Sequence, residues 1–217
     1  MNKLIVESKN DKFFIEKLIE HLNIKNIEID EPLCNIDEFV CLDGISNLKY
    51  KLEDLKLDSG EIDKLGIILD ADKIGIDQRL EQVNNILEEL NINIKFTKNN
   101  EIKYDKSNDI EIACHILNID GFGELEDILF QIKNSDSVFA DCLESWKECL
   151  DKNDKSISEK DFIKFWISNY IRFDTCTKKE QKQAKKNCNF EKALQKDIWD
   201  FEHKVLDSLK EFLKIFE

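Results

Sequence analysis

Two short acidic segments close apolar runs in this chain. The first is Leu4-Ile5-Val6-Glu7-Ser8-Lys9-Asn10-Asp11, and the second is Leu65-Gly66-Ile67-Ile68-Leu69-Asp70-Ala71-Asp72-Lys73-Ile74-Gly75. Each pattern predicts a buried β-strand that delivers carboxylates to its C-terminal tip. In open α/β sheets that tip is where ligands bind. Glu7, Asp70 and Asp72 would together form a cluster of hard oxygen donors, which suits Mg²⁺ or Mn²⁺ better than zinc. Asp70 and Asp72 flank one alanine, and like charges so close need a cation or hydrogen-bond donors to offset their repulsion.

The elements that must position these residues follow from hydrophobic periodicity. Residues 3–6 predict a strand. Asn10 or Asp11 then caps a helix whose apolar face is Phe14, Leu18, Ile19 and Leu22. Glu38–Leu42 predicts a second strand, followed by a helix through Leu48, Leu52 and Leu55. Lys64–Leu69 predicts a third, fully buried strand, and Leu80, Val83, Ile86, Leu87 and Leu90 line the inner face of the next helix. Ile92–Phe96 and Ile110–Leu117 predict further strands. Alternating strands and helices argue for a mainly parallel sheet with helices on both faces. Beyond Gly123 the pattern is helical only: Glu124–Ile132, Ser137 to about Leu150, a helix capped by Ser158 with Asp161, and an amphipathic end over Val205–Leu213. The expected organisation is an α/β domain over 1–133 and a helical extension over 134–217 packed on it.

Composition narrows the function classes. A 217-residue chain that is 41% hydrophobic suffices for one sizeable core, and no apolar run approaches a membrane span. The N-terminus enters a strand pattern without a basic region, so no export signal and a cytoplasmic location are expected. The seven cysteines lack zinc-knuckle spacing and are expected to be free thiols in a reducing environment. His115 lies in a strand-like run and is expected in the core. The formal charge of −14 argues against tight non-specific nucleic-acid binding. That charge is uneven: residues 176–196 carry seven lysines and two glutamates, a local +5. On one helix Lys178, Lys182 and Lys185 would share a face, as would Lys179, Lys182 and Lys186. Lys182, Lys185 and Lys186 are therefore candidates for substrate contact, against the plainer reading of a solvated face.

Taken together, the acidic segments resemble the Toprim domain, shared by type IA and type II topoisomerases, bacterial primases and the OLD (overcoming lysogenization defect) nucleases. Three features carry the resemblance. Val6-Glu7 ends a strand, with Ser8 standing where the family has glycine. Gly44 follows the second predicted strand. Asp70-Ala71-Asp72-Lys73-Ile74-Gly75 matches the family's Asp-x-Asp-basic-x-Gly. The resemblance covers roughly residues 1–100. The whole chain is most similar to small prokaryotic Toprim proteins related to the OLD nucleases, with their Ile198-Trp199-Asp200-Phe201 type of ending.

The resemblance implies a Rossmann-like Toprim fold and metal-dependent chemistry at a phosphodiester of nucleic acid. Asp70 and Asp72 would be ligands of Mg²⁺ or Mn²⁺, Glu7 a ligand or general acid/base, and Asp11 a further ligand. Glu126, after the strand Ile110–Leu117, would help complete a second metal site; equally, Glu124, Glu126 and Asp127 could simply favour a helix N-terminus. Lys9 would touch a phosphate oxygen, or be an ordinary surface lysine. No tyrosine-bearing gate domain and no zinc module are visible, which excludes a topoisomerase or primase and leaves a small nuclease or phosphohydrolase. The alternative is a Toprim-fold subunit or regulator that needs a protein partner.

Overall fold

The computed structural model describes residues 1–34 and 44–217, apart from the side chain of Asp58. The chain divides into two units, Met1–Leu125 with Leu206–Glu217, and Glu126–Val205. No described helix is long and apolar enough to cross a membrane.

The first unit is an α/β fold. Its strands are β1 (Asn2–Val6), β2 (Ile27–Ile29), β3 (Lys64–Asp70), β4 (Glu101–Asp105) and β5 (Ile110–Leu117), in the spatial order β2-β1-β3-β5-β4. β1 runs parallel to β2 and β3, and β3 parallel to β5; only β4 is antiparallel. The helices are α1 (Lys9–Leu22), α2 (Ser46–Asp54) and α3 (Gly75–Glu89), with a C-terminal helix described below. Side chains alternate across the sheet. Ile5, Leu65, Ile67, Leu69, Ile112, Cys114 and Ile116 form one core with Leu48 and Leu52 of α2 and Leu80, Val83 and Leu87 of α3. On the opposite face Gly66 meets Leu4 and the rings of Phe212 and Phe216. A Cβ at Gly66 would lie 2.7 Å from Phe216, so glycine in this buried strand makes room for the end of the chain.

Several local expectations change. The cap of α1 is Ser8: its Oγ accepts the Asp11 N–H at 3.2 Å, and Asp11 Oδ2 accepts the Ser8 N–H at 2.7 Å. This reciprocal box satisfies two otherwise orphan donors and starts the helix earlier than Asn10 or Asp11 would. The strand expected over Glu38–Leu42 lies outside the described residues. Ile92–Phe96 forms no strand; Asn84 of α3 supplies both hydrogen bonds to the Phe96 backbone, at 2.8 and 2.9 Å, in place of a neighbouring strand. β5 pairs instead with β4, and β1 gains the short edge strand β2.

The second unit is helical. It holds α4 (Leu125–Ile132, whose first residue belongs to the first unit), α5 (Val138–Asp141), α6 (Leu143–Asp151), α7 (Glu159–Asn169), α8 (Lys178–Gln181), α9 (Ala184–Asn187) and α10 (Phe190–Leu194). Ser158 caps α7 through the Asp161 N–H at 3.1 Å, as expected. An aromatic column fills the unit: Phe130 packs edge-on against Trp166, Trp166 stacks on Tyr170, and Tyr170 meets Trp199 edge-on. Both polar tips are satisfied, Tyr170 Oη donating to Ile198 O at 3.0 Å and Trp199 Nε1 to Ala193 O at 3.1 Å. The final helix, α11 (Asp207–Lys214), belongs to the first unit, where Phe212 lies 5.3 Å from the His115 ring of β5.

The expectation of free thiols is overturned for three of the described cysteines, Cys34, Cys176 and Cys188, which are disulfide-bonded. Cys176 and Cys188 form a disulfide across 12 residues. The segment between them is two four-residue helices, not one continuous helix, because Gln183 (φ −123°, ψ 47°) leaves helical geometry and turns the chain back. Cys114, Cys142 and Cys149 are free thiols.

Candidate functional site

The sheet order places the acidic tips at one point. After β1 the chain moves outward to β2; after β3 it moves the other way, to the edge strand β4 and back to β5. β1 and β3 are therefore adjacent strands whose onward connections diverge. That divergence is the topological switch point, where a crevice opens beyond the strand ends. Glu7 follows β1 and Asp70 ends β3, and Val6 pairs with Ile68.

The two tips touch. Glu7 Oε2 accepts the Asp70 backbone N–H at 3.3 Å. The same carboxylate lies over Gly44: a Cβ there would stand 2.7 Å from Glu7 Oε1 and 2.9 Å from its Cγ. Glycine at 44 thus provides the space that the Glu7 side chain occupies. The backbone around Glu7 is fixed as well, since Glu7 O accepts the Cys34 N–H at 2.9 Å and Val6 O the Leu33 N–H at 3.0 Å.

The second acidic segment is clamped on its other side. The Ala71 N–H donates to Leu117 O at 2.9 Å. Asp72 and Gly123 exchange backbone hydrogen bonds at 2.8 and 2.9 Å, and the Ile76 N–H donates to Gly121 O at 3.2 Å. Asp72 adopts a left-handed backbone (φ 49°), which aspartate tolerates better than most residues. Gly75 (φ 84°) then opens α3; a Cβ there would strike the Phe122 ring at 2.9 Å. Glu124, 5% exposed, follows Gly123 directly and so stands next to this clamp.

Arg79 is the site residue that sequence reasoning missed. Its side chain, 8% exposed, sits on the buried side of α3. Nη2 donates to Asp72 Oδ2 at 2.6 Å, Nε to Asp70 O at 2.8 Å and Nη1 to Gln82 Oε1 at 3.1 Å. One guanidinium therefore ties both aspartates of the acidic segment to α3. The available signal was compositional: the chain has only two arginines among its 32 basic residues, and one falls seven positions after Asp72.

The remaining candidates disperse. Asp11, 2% exposed, serves in the α1 capping box. Lys9 is exposed and stands over the Phe13 ring at 5.7 Å. Glu126 lies in the first turn of α4, in the second unit, and is half-buried. Lys182, Lys185 and Lys186 are exposed in the second unit and line one concavity. His115, 2% exposed, is a core residue: Nδ1 hydrogen-bonds Asn100 Oδ1 at 2.5 Å, and burial pushes its pKa down to about 3.

For a hard divalent ion the donor chemistry fits. The Glu7 carboxylate meets the Asp70 backbone at the tips of neighbouring strands, and the glycine at 44 leaves that carboxylate room. The set is not gathered around a point, however: among the described residues no group of three or more His, Cys, Asp or Glu side chains is spaced to hold a metal. Asp72 is drawn to Arg79 instead.

The whole chain, residues 1–217, matches the family described as protein of unknown function (DUF3226). The chain belongs to this family. No curated protein and no solved structure matches it.

Proposed function

We propose that this chain is a Toprim-like protein that cleaves phosphodiesters in nucleic acid with Mg²⁺ or Mn²⁺, Glu7, Asp70 and Asp72 being the residues that would hold the ion. One observation carries the reading: the Glu7 carboxylate meets the Asp70 backbone at the switch point between β1 and β3. A bound divalent ion would neutralise charge on the scissile phosphate and lower the pKa of its water. Glu7 is the group for proton transfer. It is half-buried, and the Asp70 N–H and the Gly44 surface fix its direction, so one carboxylate oxygen is aimed before substrate arrives. Asp11, in the first turn of α1, holds the backbone N–H of Ser8, the residue after Glu7, and exposed Lys9 is available to a phosphate oxygen.

The test is a cleavage assay on labelled DNA and RNA with Mn²⁺, Mg²⁺ or EDTA. Glu7→Gln should lower turnover about 10²–10⁴-fold, the range for losing a general acid or base, with substrate binding little changed. Cleavage that persists in EDTA and in Glu7→Gln would refute the assignment.

The Asp72–Arg79 ion pair favours a second reading, a subunit or regulator that needs a protein partner, because an aspartate with an internal counter-ion has less need of a metal. That reading predicts no metal-dependent cleavage by the isolated wild-type chain and none lost on Glu7→Gln.

A further inference from the structure

We propose that the loop closed by the Cys176–Cys188 disulfide, together with Arg172, is a binding site for the phosphate backbone of a nucleic-acid strand. Arg172, Lys182, Lys185 and Lys186 line one open concavity of about 360 Å³, with Gln181 and Gln183 between them. All four cations are exposed, and none makes an ion pair among the described residues. They are separated in sequence and meet because the chain doubles back between the two cysteines.

The acids of this segment are occupied elsewhere. Glu180 accepts the Thr177 N–H at 2.7 Å in a capping box and pairs with Lys196 at 3.0 Å, while Glu191 pairs with Lys192 at 3.6 Å. The neutralising lysines are thus ones outside the concavity, and the concavity keeps a charge of four. Its backbone is held by more than the disulfide: Gln181 Nε2 donates to Cys176 O at 3.0 Å, and Asn189 Nδ2 to Lys185 O at 3.1 Å. A chain of net charge −14 that keeps four unpaired cations on one tied loop has a local site for polyanions, against its overall field. A nucleic-acid strand offers several phosphates in a row, and such contacts are sequence-independent.

This proposal shares with the preceding reading only the ligand class, and it uses none of the carboxylates. It is tested in EDTA, where metal-dependent chemistry is silent, by fluorescence anisotropy of a fluorescein-labelled oligothymidylate on the full chain. The Lys182→Gln/Lys185→Gln/Lys186→Gln variant should bind roughly tenfold more weakly at low salt, and its slope of log K against log salt should flatten by about 2, at about 0.7 per single-strand phosphate contact. Lys25→Gln/Lys98→Gln/Lys106→Gln, three exposed lysines of the first unit, changes net charge equally and should leave the slope unchanged. Cys176→Ser/Cys188→Ser should weaken binding while circular dichroism shows the helices retained. An unchanged slope in the first variant, or an equal loss in the control variant, would overturn the site. Wild-type affinity in the serine variant would overturn the role of the disulfide. Failure of cleavage with this binding intact would count against the carboxylate reading alone.

Discussion

Replacing Arg79 with alanine should move stability and metal affinity in opposite directions. The Arg79 side chain is 8% exposed and its partner Asp72 27% exposed, and three hydrogen bonds leave the guanidinium. Removing one partner of a buried ion pair costs about 3–5 kcal/mol; water reaches Asp72, so about 2–3 kcal/mol is expected here. A divalent ion on Asp72 would meet the opposite effect. A dication about 6 Å from the guanidinium is repelled by roughly 1.4 kcal/mol at the dielectric of water and roughly 5.5 kcal/mol at an effective dielectric of 20. Arg79→Ala should therefore bind Mn²⁺ at least about tenfold more tightly than wild type. Urea unfolding in EDTA reads the first effect and isothermal titration calorimetry with MnCl₂ the second. Arg79→Lys keeps the charge and loses the fork, so it should lose stability with Mn²⁺ affinity close to wild type. Equal or weaker Mn²⁺ binding by Arg79→Ala would refute the idea that Arg79 and an ion compete for Asp72.

Three further outcomes follow from packing and burial. Gly66→Ala should destabilise the fold by about 3 kcal/mol in urea titrations, since its Cβ would strike Leu4, Phe216 and Phe212 at once. Gly44→Ala should fold with a near-normal urea midpoint, because the flexible end of Glu7 can give way, yet lose on the order of 10²-fold in cleavage as the carboxylate shifts. His115 stays neutral in the fold down to about pH 3, whereas its ordinary value is 6.5. The unfolded chain therefore takes up a proton that the folded chain refuses, and stability is lost as pH falls below 6.5. The slope approaches about 1.4 kcal/mol per pH unit. His115→Phe should flatten that slope in urea midpoints measured between about pH 6.5 and 5.

The buried strands were legible because a parallel strand covered on both faces is a nearly continuous apolar run. β1, β3 and β5 are such runs, and their ends named Glu7 and Asp70 directly. Edge strands carry no such signal. β2 is three residues long and β4 is Glu-Ile-Lys-Tyr-Asp, half of it facing water. Ile92–Phe96 misled for the converse reason: Ile92 and Phe96 are buried, but Asn84 and not a strand satisfies the Phe96 backbone. Arg79 was hidden because it occupies a helix position where periodicity anticipates an apolar residue, and only the folded chain reveals the aspartates above it. The lysine segment was read as one helix because helical spacing says nothing of a disulfide 12 residues long that turns it back.

Mn²⁺ titration of wild type against Asp70→Asn by isothermal calorimetry tests the central claim most directly. The substitution removes one charge at the β3 tip, preserves its shape and leaves the Asp72–Arg79 pair in place. Wild type should bind Mn²⁺, and Asp70→Asn should bind it at least about tenfold more weakly, a loss of about 1.4 kcal/mol or more. Equal affinity in the two proteins, or no binding by wild type, would contradict a metal site at the strand tips.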